Sequence, residues 1–233
     1  EVCPGKGCLT MKSILQQYGT VSLLNIEADR PEEWDTSGAT HVRVSLPPDA
    51  GSMLQMQELG YQFVDRMLDV TVGLRNPRMD FGKAVRIRPE PERARRDEIR
   101  QLAVNSFVRD RRFHVEAEYN NELAAAIIDG WIAEIPEFYV CNYKGKLIGF
   151  LALKENPKEG SAAIHLAAVD ERYRASGAAV SLYAAAMQAG QEKGLQKITG
   201  YISSGNPAVM NLYAYFGGSF SNPRDIYVKK NCL

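Results

Sequence analysis

Cysteine is scarce in this chain of 233 residues, with only Cys3, Cys8, Cys141 and Cys232. A zinc site wants four ligands, and no second pair follows Cys3 and Cys8 at a zinc-site spacing, so no metal is expected. Those two cysteines flank a glycine-rich turn and read as a loose, reduced N-terminal tail, which points to the reducing cytoplasm. A surplus of either charge is also missing: 28 Lys and Arg balance 28 Asp and Glu, so the global charge gives no sign of a nucleic-acid partner. No apolar run approaches the roughly 20 residues of a membrane helix, so no membrane partner is expected. The first nine residues lack the basic head and apolar stretch of a signal peptide. No internal repeat is apparent. What is present is ordinary for a soluble globular protein: 45% hydrophobic and 24% charged residues. The length suits one large domain or two small ones.

The order of patterns predicts two domains, a small α/β domain over residues 1–80 and a larger one over 81–233. Val42, Val44 and Leu46 alternate with polar residues before Pro47 and Pro48, which suits a strand stopped by the prolines. Met53, Leu54, Met56 and Leu59 follow helical spacing, with Gly60 as the stop. Tyr61 to Phe63 and Met67 to Leu74 read as extended. The turn-rich run Asn76-Pro77-Arg78-Met79-Asp80 marks the junction. Beyond it, Val85 and Ile87 suggest a short strand ended by Pro89, and a charged helix spans about Glu92 to Phe107. After the loop Arg109 to His114 comes a second helix, striped by Leu123, Ile127, Ile128, Trp131 and Ile132. A hairpin follows, Phe138 to Asn142 and Leu147 to Leu153 around Lys144-Gly145. Then come a strand (Ser161 to Val169), a helix (Ala178 to about Lys193), a strand (Lys197 to Ser203), a helix (Pro207 to Phe216) and a last strand at Tyr227-Val228. Helices alternating with a mixed sheet define an α/β fold.

Two of these junctions carry chemistry. Arg174-Ala175-Ser176-Gly177-Ala178-Ala179 lies between a strand and a helix. The first turn of a helix offers unpaired backbone N–H groups and a positive dipole end, which favour an anion. Gly177 lets the backbone approach a phosphate, the small side chains leave that approach open, and Arg174 adds a charge-assisted contact. An ordinary helix start with a solvated arginine has the same pattern. In the second junction Asn206 follows a strand and opens a helix as an N-cap, with Pro207 at the first helical position. Leu212, Tyr213 and Phe216 share the buried side of that helix, so Tyr213 taken alone reads as a core aromatic.

Taken together, the order strand, Arg-x-x-Gly-x-Ala, helix, strand, Asn, Leu-Tyr-x-x-x-Gly resembles the GNAT N-acetyltransferases. Upstream, Arg112-Phe113-His114 and the helix carrying Trp131-Ile132 are similar to the dTDP-fucosamine acetyltransferase (WecD-like) group. The stretch from His41 to Leu74 resembles that group's first domain. The resemblance runs from about residue 40 onward. It implies the GNAT fold, a mixed and splayed central sheet flanked by helices, with a smaller N-terminal α/β domain.

It also implies acetyl-CoA as co-substrate and transfer of the acetyl group to a primary amine of a small molecule, such as a nucleotide-linked amino sugar. By the same resemblance the backbone of Ala167, Ala168 and Val169 pairs with the pantetheine arm. The amides from Arg174 through Ala175, Ser176, Gly177 and Ala178 to Ala179 hold the pyrophosphate, and Asn206 supports the cofactor arm where two strands splay. Tyr213 protonates the departing thiolate, and Arg112, Phe113, His114 and Trp131 face the acceptor. Direct attack needs an amine nucleophile, an oxyanion stabiliser and a general acid, so a nucleophilic Ser or Cys is not required.

The chain departs from the family pattern in two places. Ala175, Ser176 and Ala179 stand where Gly or Lys is common, and Gly217-Gly218 stands where Gly-Phe is usual. No carboxylate on the Ser161 to Val169 strand offers itself as a base, which leaves His165 and His114, whose imidazoles titrate near ~6.5 when unperturbed. Residues 83–112 hold ten Lys/Arg against five Asp/Glu, either a solvated helix face or an attraction for an anionic substrate. Other amines (a protein N-terminus, a polyamine, an antibiotic) and a CoA-binding protein without turnover stay open, as does a homodimer.

Overall fold

The computed structural model describes residues 12–18, 21–75, 80–107 and 121–231. Arg112, Phe113, His114, Cys3 and Cys8 lie outside the described residues, as does most of the expected junction, 76–79. The chain divides into two compact units, 1–67 with 222–233, and 68–221. Among the described residues no helix is long and apolar enough to cross a membrane.

The first unit contains strands β1 (Lys12–Tyr18), β2 (Val21–Glu27) and β3 (His41–Leu46), then helix α1 (Ala50–Glu58). It also takes the first half of β4 (Gln62–Gly73) and most of the last strand, β10 (Ser219–Lys230). The strand order is β1-β2-β3-β10-β4. The hairpin β1–β2 has no counterpart in the sequence patterns, because every side chain of β1 except the half-buried Tyr18 is exposed and no alternation marks the strand. In β3 the expected alternation holds, with Val42, Val44 and Leu46 fully buried. Helix α1 starts where the Asp49 carboxylate accepts from Ser52 N at 2.8 Å and stops before Gly60, whose φ of +80° suits glycine. Its expected apolar side is narrower than the spacing suggested: Met56 is buried, whereas Met53 and Leu54 are exposed. The two runs read as extended between Tyr61 and Leu74 form one continuous strand, β4.

The second unit holds β5 (Glu90–Glu92), α2 (Arg96–Phe107), α3 (Asn121–Ala133), β6 (Phe138–Tyr143), β7 (Lys146–Asn156), β8 (Ser161–Val169), α4 (Ala178–Glu192), β9 (Lys197–Ser203) and α5 (Pro207–Tyr215). Its strand order is β4-β9-β8-β7-β6-β5. Two apolar clusters pack on this sheet. One joins α4 and α5 to it through Leu182, Met187, Tyr213 and Phe216. The other joins α2 and α3 through Ile99, Ala103, Ile128 and Ile132. The β6–β7 turn has Lys144 at φ 50° and Gly145 at φ 76°, the two left-handed positions of a tight hairpin.

Two sequence expectations shift here. Residues 85–87 form no strand, because the N–H groups of Arg86 and Ile87 donate to Ser181 Oγ at 3.0 and 3.1 Å. The strand lies at Glu90–Glu92 instead, paired with β6. Helix α2 begins at Arg96 rather than near Glu92, since the Glu92 carboxylate is occupied as an acceptor for the amides of Arg93 and Ala94 at 2.9 and 2.7 Å. Those bonds hold Glu92 below the usual carboxylate range.

Candidate active site

The site begins where two parallel strands part. β8 and β9 pair only from Ser161–Lys197 to Ala163–Thr199. Beyond that point Ile164 to Val169 keep their ladder with β7 but have none with β9 among the described residues. Buried backbone N–H and C=O groups are rarely left without partners, so this edge is suited to an extended ligand arm. Ala167, Ala168 and Val169 all lie on it.

A bulge interrupts β8 inside the opening. Leu153 pairs with Ile164 and Ala152 with Leu166, which makes His165 the extra residue. The side-chain alternation reverses across it: Ala162 and Ile164 pack with the α4/α5 cluster, and so do Ala167 and Val169. Thus His165 is aimed by the bulge toward α3, where its ring meets Trp131 edge-on with centroids 6.3 Å apart. His165 Nε2 is buried without a hydrogen-bond partner among the described residues. Burial lowers its pKa from the ordinary 6.5, Lys154 lowers it further and Glu134 raises it, so the ring is neutral at pH 7.

At the end of β8 the chain turns through a 3-10 segment, Glu171–Ser176, into α4. Asp170 anchors this turn. Its carboxylate accepts from Arg172 N at 3.0 Å, Arg172 Nη2 at 2.7 Å and Lys146 Nζ at 3.3 Å. These bonds, led by the Arg172 side chain, hold the carboxyl well below its usual range. Gly177 ends the turn at φ +86°, a backbone conformation a side chain would strain. Ser176 Oγ accepts from Ala178 N at 3.2 Å. Arg174 is exposed and has no ion-pair partner among the described residues. The expected phosphate loop is therefore a real strand–turn–helix junction with a glycine-required bend and a free arginine.

Asn206 caps α5, its side chain accepting from Val209 N at 3.2 Å, with Pro207 next in line. Seven residues on, Tyr213 is 1% exposed. Its ring stands edge-on to Tyr183, with centroids 5.2 Å apart, and the two hydroxyls are hydrogen-bond partners. Burial drives the Tyr213 hydroxyl far above its ordinary pKa, and pushes Tyr183 up to about 12. The Tyr213 hydroxyl also lies against Gly200, where a Cβ would overlap it. Gly200 directly follows Thr199, the last residue of the β8–β9 ladder. Tyr213 is thus both a core aromatic and a group at the point where the strands separate.

The structure therefore brings Ala167–Val169 and the loop from Arg174 to Ala179 into one continuous run, with His165 and Trp131 paired on the α3 side. Sequence reasoning missed Asp170, Tyr183, Ser181 and Gly200. Gly200 carried a signal, because a glycine inside a strand marks a close approach. Among the described residues no group of three or more His, Cys, Asp or Glu could hold a metal ion.

A mixed sheet opened between two parallel strands, with a strand–turn–helix junction at the end of one and helices on both faces, is an α/β fold. Residues 110–217 match the model of the Acetyltransferase (GNAT) family. That stretch thus corresponds to a GNAT acetyltransferase domain, whose enzyme class is that of the acyl-CoA N-acyltransferases. No curated protein matches the chain in sequence.

Solved structures share the fold at low identity. A functionally unknown conserved protein from Staphylococcus epidermidis is 11% identical at a TM-score of 0.68, over 89% of this chain and 85% of that one. A GCN5-related N-acetyltransferase from Sphaerobacter thermophilus is 14% identical at 0.60, over 94% and 76%. The glucosamine N-acetyltransferase region of a fungal multi-domain β-N-acetylglucosaminidase is 12% identical at 0.60, over 95% of this chain and 31% of that one. The expected α/β fold with a central sheet flanked by helices is observed.

Proposed function

We propose that the protein transfers acetyl from acetyl-CoA to a primary amine of a small molecule by direct attack. The observation that carries this reading is the opening beyond Ala163–Thr199, with the Tyr213 hydroxyl set beside Gly200 at its closed end. The free edge of Ala167, Ala168 and Val169 accepts the pantetheine arm as an added strand, and Asn206 supports that arm. The turn from Arg174 to Ala179 takes the pyrophosphate on backbone amides. These donors fit acetyl-CoA, whose thioester supplies the acyl group. Tyr213 is the general acid for the thiolate, and burial keeps its hydroxyl protonated in the free protein. Acetyl-CoA at millimolar concentration should raise the melting temperature, and thiol release should identify the amine from a panel. An unshifted melting temperature would remove the acetyl-CoA reading.

His165 is the base, acting directly or through water. A neutral imidazole aimed by a bulge, beside Trp131, suits proton removal from an incoming ammonium group. The profile of kcat/KM against pH should then fall on the acid side with a midpoint below 6.5, because the folded-state pKa of His165 is lowered. His165→Gln should lower kcat/KM about 10²-fold and flatten that limb. A limb that survives the substitution assigns the base elsewhere, with His114 next in line.

The acceptor proposed is a nucleotide-linked amino sugar. It rests on Arg112-Phe113-His114 with Trp131 and on the basic bias of residues 83–112. A second reading, a CoA-binding protein without turnover, is favoured by the burial of Tyr213 and the engagement of its hydroxyl with Tyr183. A thermal shift with acetyl-CoA but no thiol release across the panel would select it. The cytoplasm is the proposed compartment, and the oligomer proposed is a homodimer.

A further inference from the structure

A second arginine reaches the phosphate turn from outside the motif. The segment that carries it crosses the first turn of α4 and is fixed there by backbone bonds, not by its own side chain. Ser181, with no exposed surface, accepts from both Arg86 N and Ile87 N. The Arg86 side chain consequently extends over Gly177, where a Cβ would lie 3.4 Å from Arg86 Cδ. Its guanidinium is exposed and has no ion-pair partner among the described residues.

The charge balance at the turn shows why this matters. Coenzyme A carries a diphosphate and a 3′-phosphate, and a phosphomonoester alone has a charge of about −1.5 to −2 at pH 7. Among the described residues Arg172 and Lys146 are both committed to Asp170 at the 170–177 turn. That leaves Arg174, one cation for several negative charges. Arg86 is the second free guanidinium at Gly177. A planar fork with no competing carboxylate is the group best matched to phosphate oxygens.

We propose that Arg86 binds the phosphates of coenzyme A and is a cofactor-specificity residue of this site, a role that rests on the acetyl-CoA reading. It sits on a pinned backbone, so its approach costs little ordering of the chain. The interaction is with phosphate alone, which separates it from any role in holding the fold.

Titration calorimetry with three probes tests this on the full chain. Arg86→Ala should weaken CoA roughly five- to tenfold, the size of an exposed charge-assisted contact. Arg86→Lys should fall between, keeping the charge and losing the fork. S-acetylpantetheine, which has no phosphate, should bind wild type and Arg86→Ala equally. Dephospho-CoA locates the contact: a defect retained there assigns Arg86 to the diphosphate, and one that disappears assigns it to the 3′-phosphate. Lys83→Ala, which removes a neighbouring positive charge paired with Asp80, should bind CoA within twofold of wild type. The proposal is overturned if wild type binds CoA and Arg86→Ala matches it within twofold. It is equally overturned if Arg86→Ala loses as much affinity for S-acetylpantetheine, or if Lys83→Ala shows the same defect. Wild type that binds neither probe removes the acetyl-CoA reading, and this inference with it.

Discussion

Tyr213→Phe should lower kcat about 10²-fold or more while leaving the KM for acetyl-CoA within about threefold. The substitution removes one oxygen and almost no apolar area, so the fold keeps the ring that packs against Tyr183 and Phe216. What it loses is the hydroxyl at the closed end of the β8–β9 opening and the hydrogen bond to Tyr183. Losing one such bond costs about 1 kcal/mol, or a few degrees of melting temperature for a chain of this size. A core role alone therefore predicts a small thermal shift and an unchanged kcat. A general-acid role predicts the same small shift with a large loss of rate.

Tyr183 sharpens the contrast. Its hydroxyl is the hydrogen-bond partner of Tyr213 in the free protein, and its own pKa is pushed up to about 12. In the proposed general-acid role the Tyr213 hydroxyl donates to the forming thiolate, and Tyr183 can donate to the Tyr213 oxygen in turn. Tyr183→Phe should accordingly cost less rate than Tyr213→Phe, because the proton that reaches sulfur is still present. Steady-state kinetics on the identified amine, with melting curves of all three proteins, decide it. A kcat for Tyr213→Phe within threefold of wild type removes the acid role.

The elements that could be read from sequence are those whose side chains see two environments. β3 alternates between core and solvent, α5 begins with Asn206-Pro207, and the β6–β7 turn needs the left-handed positions that Lys144-Gly145 supplies. In each case a local rule and the tertiary packing agree. β1 was illegible for the opposite reason. With no buried residue, its alternation has nothing to record. Val85 and Ile87 misled because branched apolar residues suit a strand, yet their segment is held by the hydroxyl of Ser181, 94 or more positions away. The same distance hid Arg86, since nothing local says that it lies over Gly177.

The candidate site divides along the same line. The Arg174 to Ala179 turn and the Asn206 cap are local patterns and were visible. The bulge at His165 is a register difference between β7 and β8, and a register cannot be seen in one strand. The burial of Tyr213 was anticipated from the helix stripe, but its bond to Tyr183 joins two helices 30 positions apart along the chain. Paired side chains of that kind depend on how α4 and α5 lie on the sheet.

Gly200→Ala should impair the same proton donor from the opposite side. The added Cβ would overlap the Tyr213 hydroxyl, come within 3.0 Å of Tyr213 Cζ and press on Val70 Cγ1 at 3.1 Å. Val70 is 1% exposed, so neither neighbour has room to retreat without moving the core. Overpacking of this kind costs about 1–3 kcal/mol, several degrees of melting temperature here. Because the tightest overlap is with the hydroxyl, the ring must swing away from Gly200, which breaks the bond to Tyr183 and withdraws the proton from the opening. The rate should therefore fall with the stability. The double variant Gly200→Ala, Tyr213→Phe separates the two effects. Without the oxygen much of the overlap is gone, so its melting temperature should lie above the additive expectation, a coupling of about 0.5–3 kcal/mol. Its kcat should equal that of Tyr213→Phe, since the donor can be lost only once. Strictly additive stability would mean that the hydroxyl does not rest on Gly200. A kcat for Gly200→Ala equal to wild type would mean that the position of this hydroxyl does not govern the reaction.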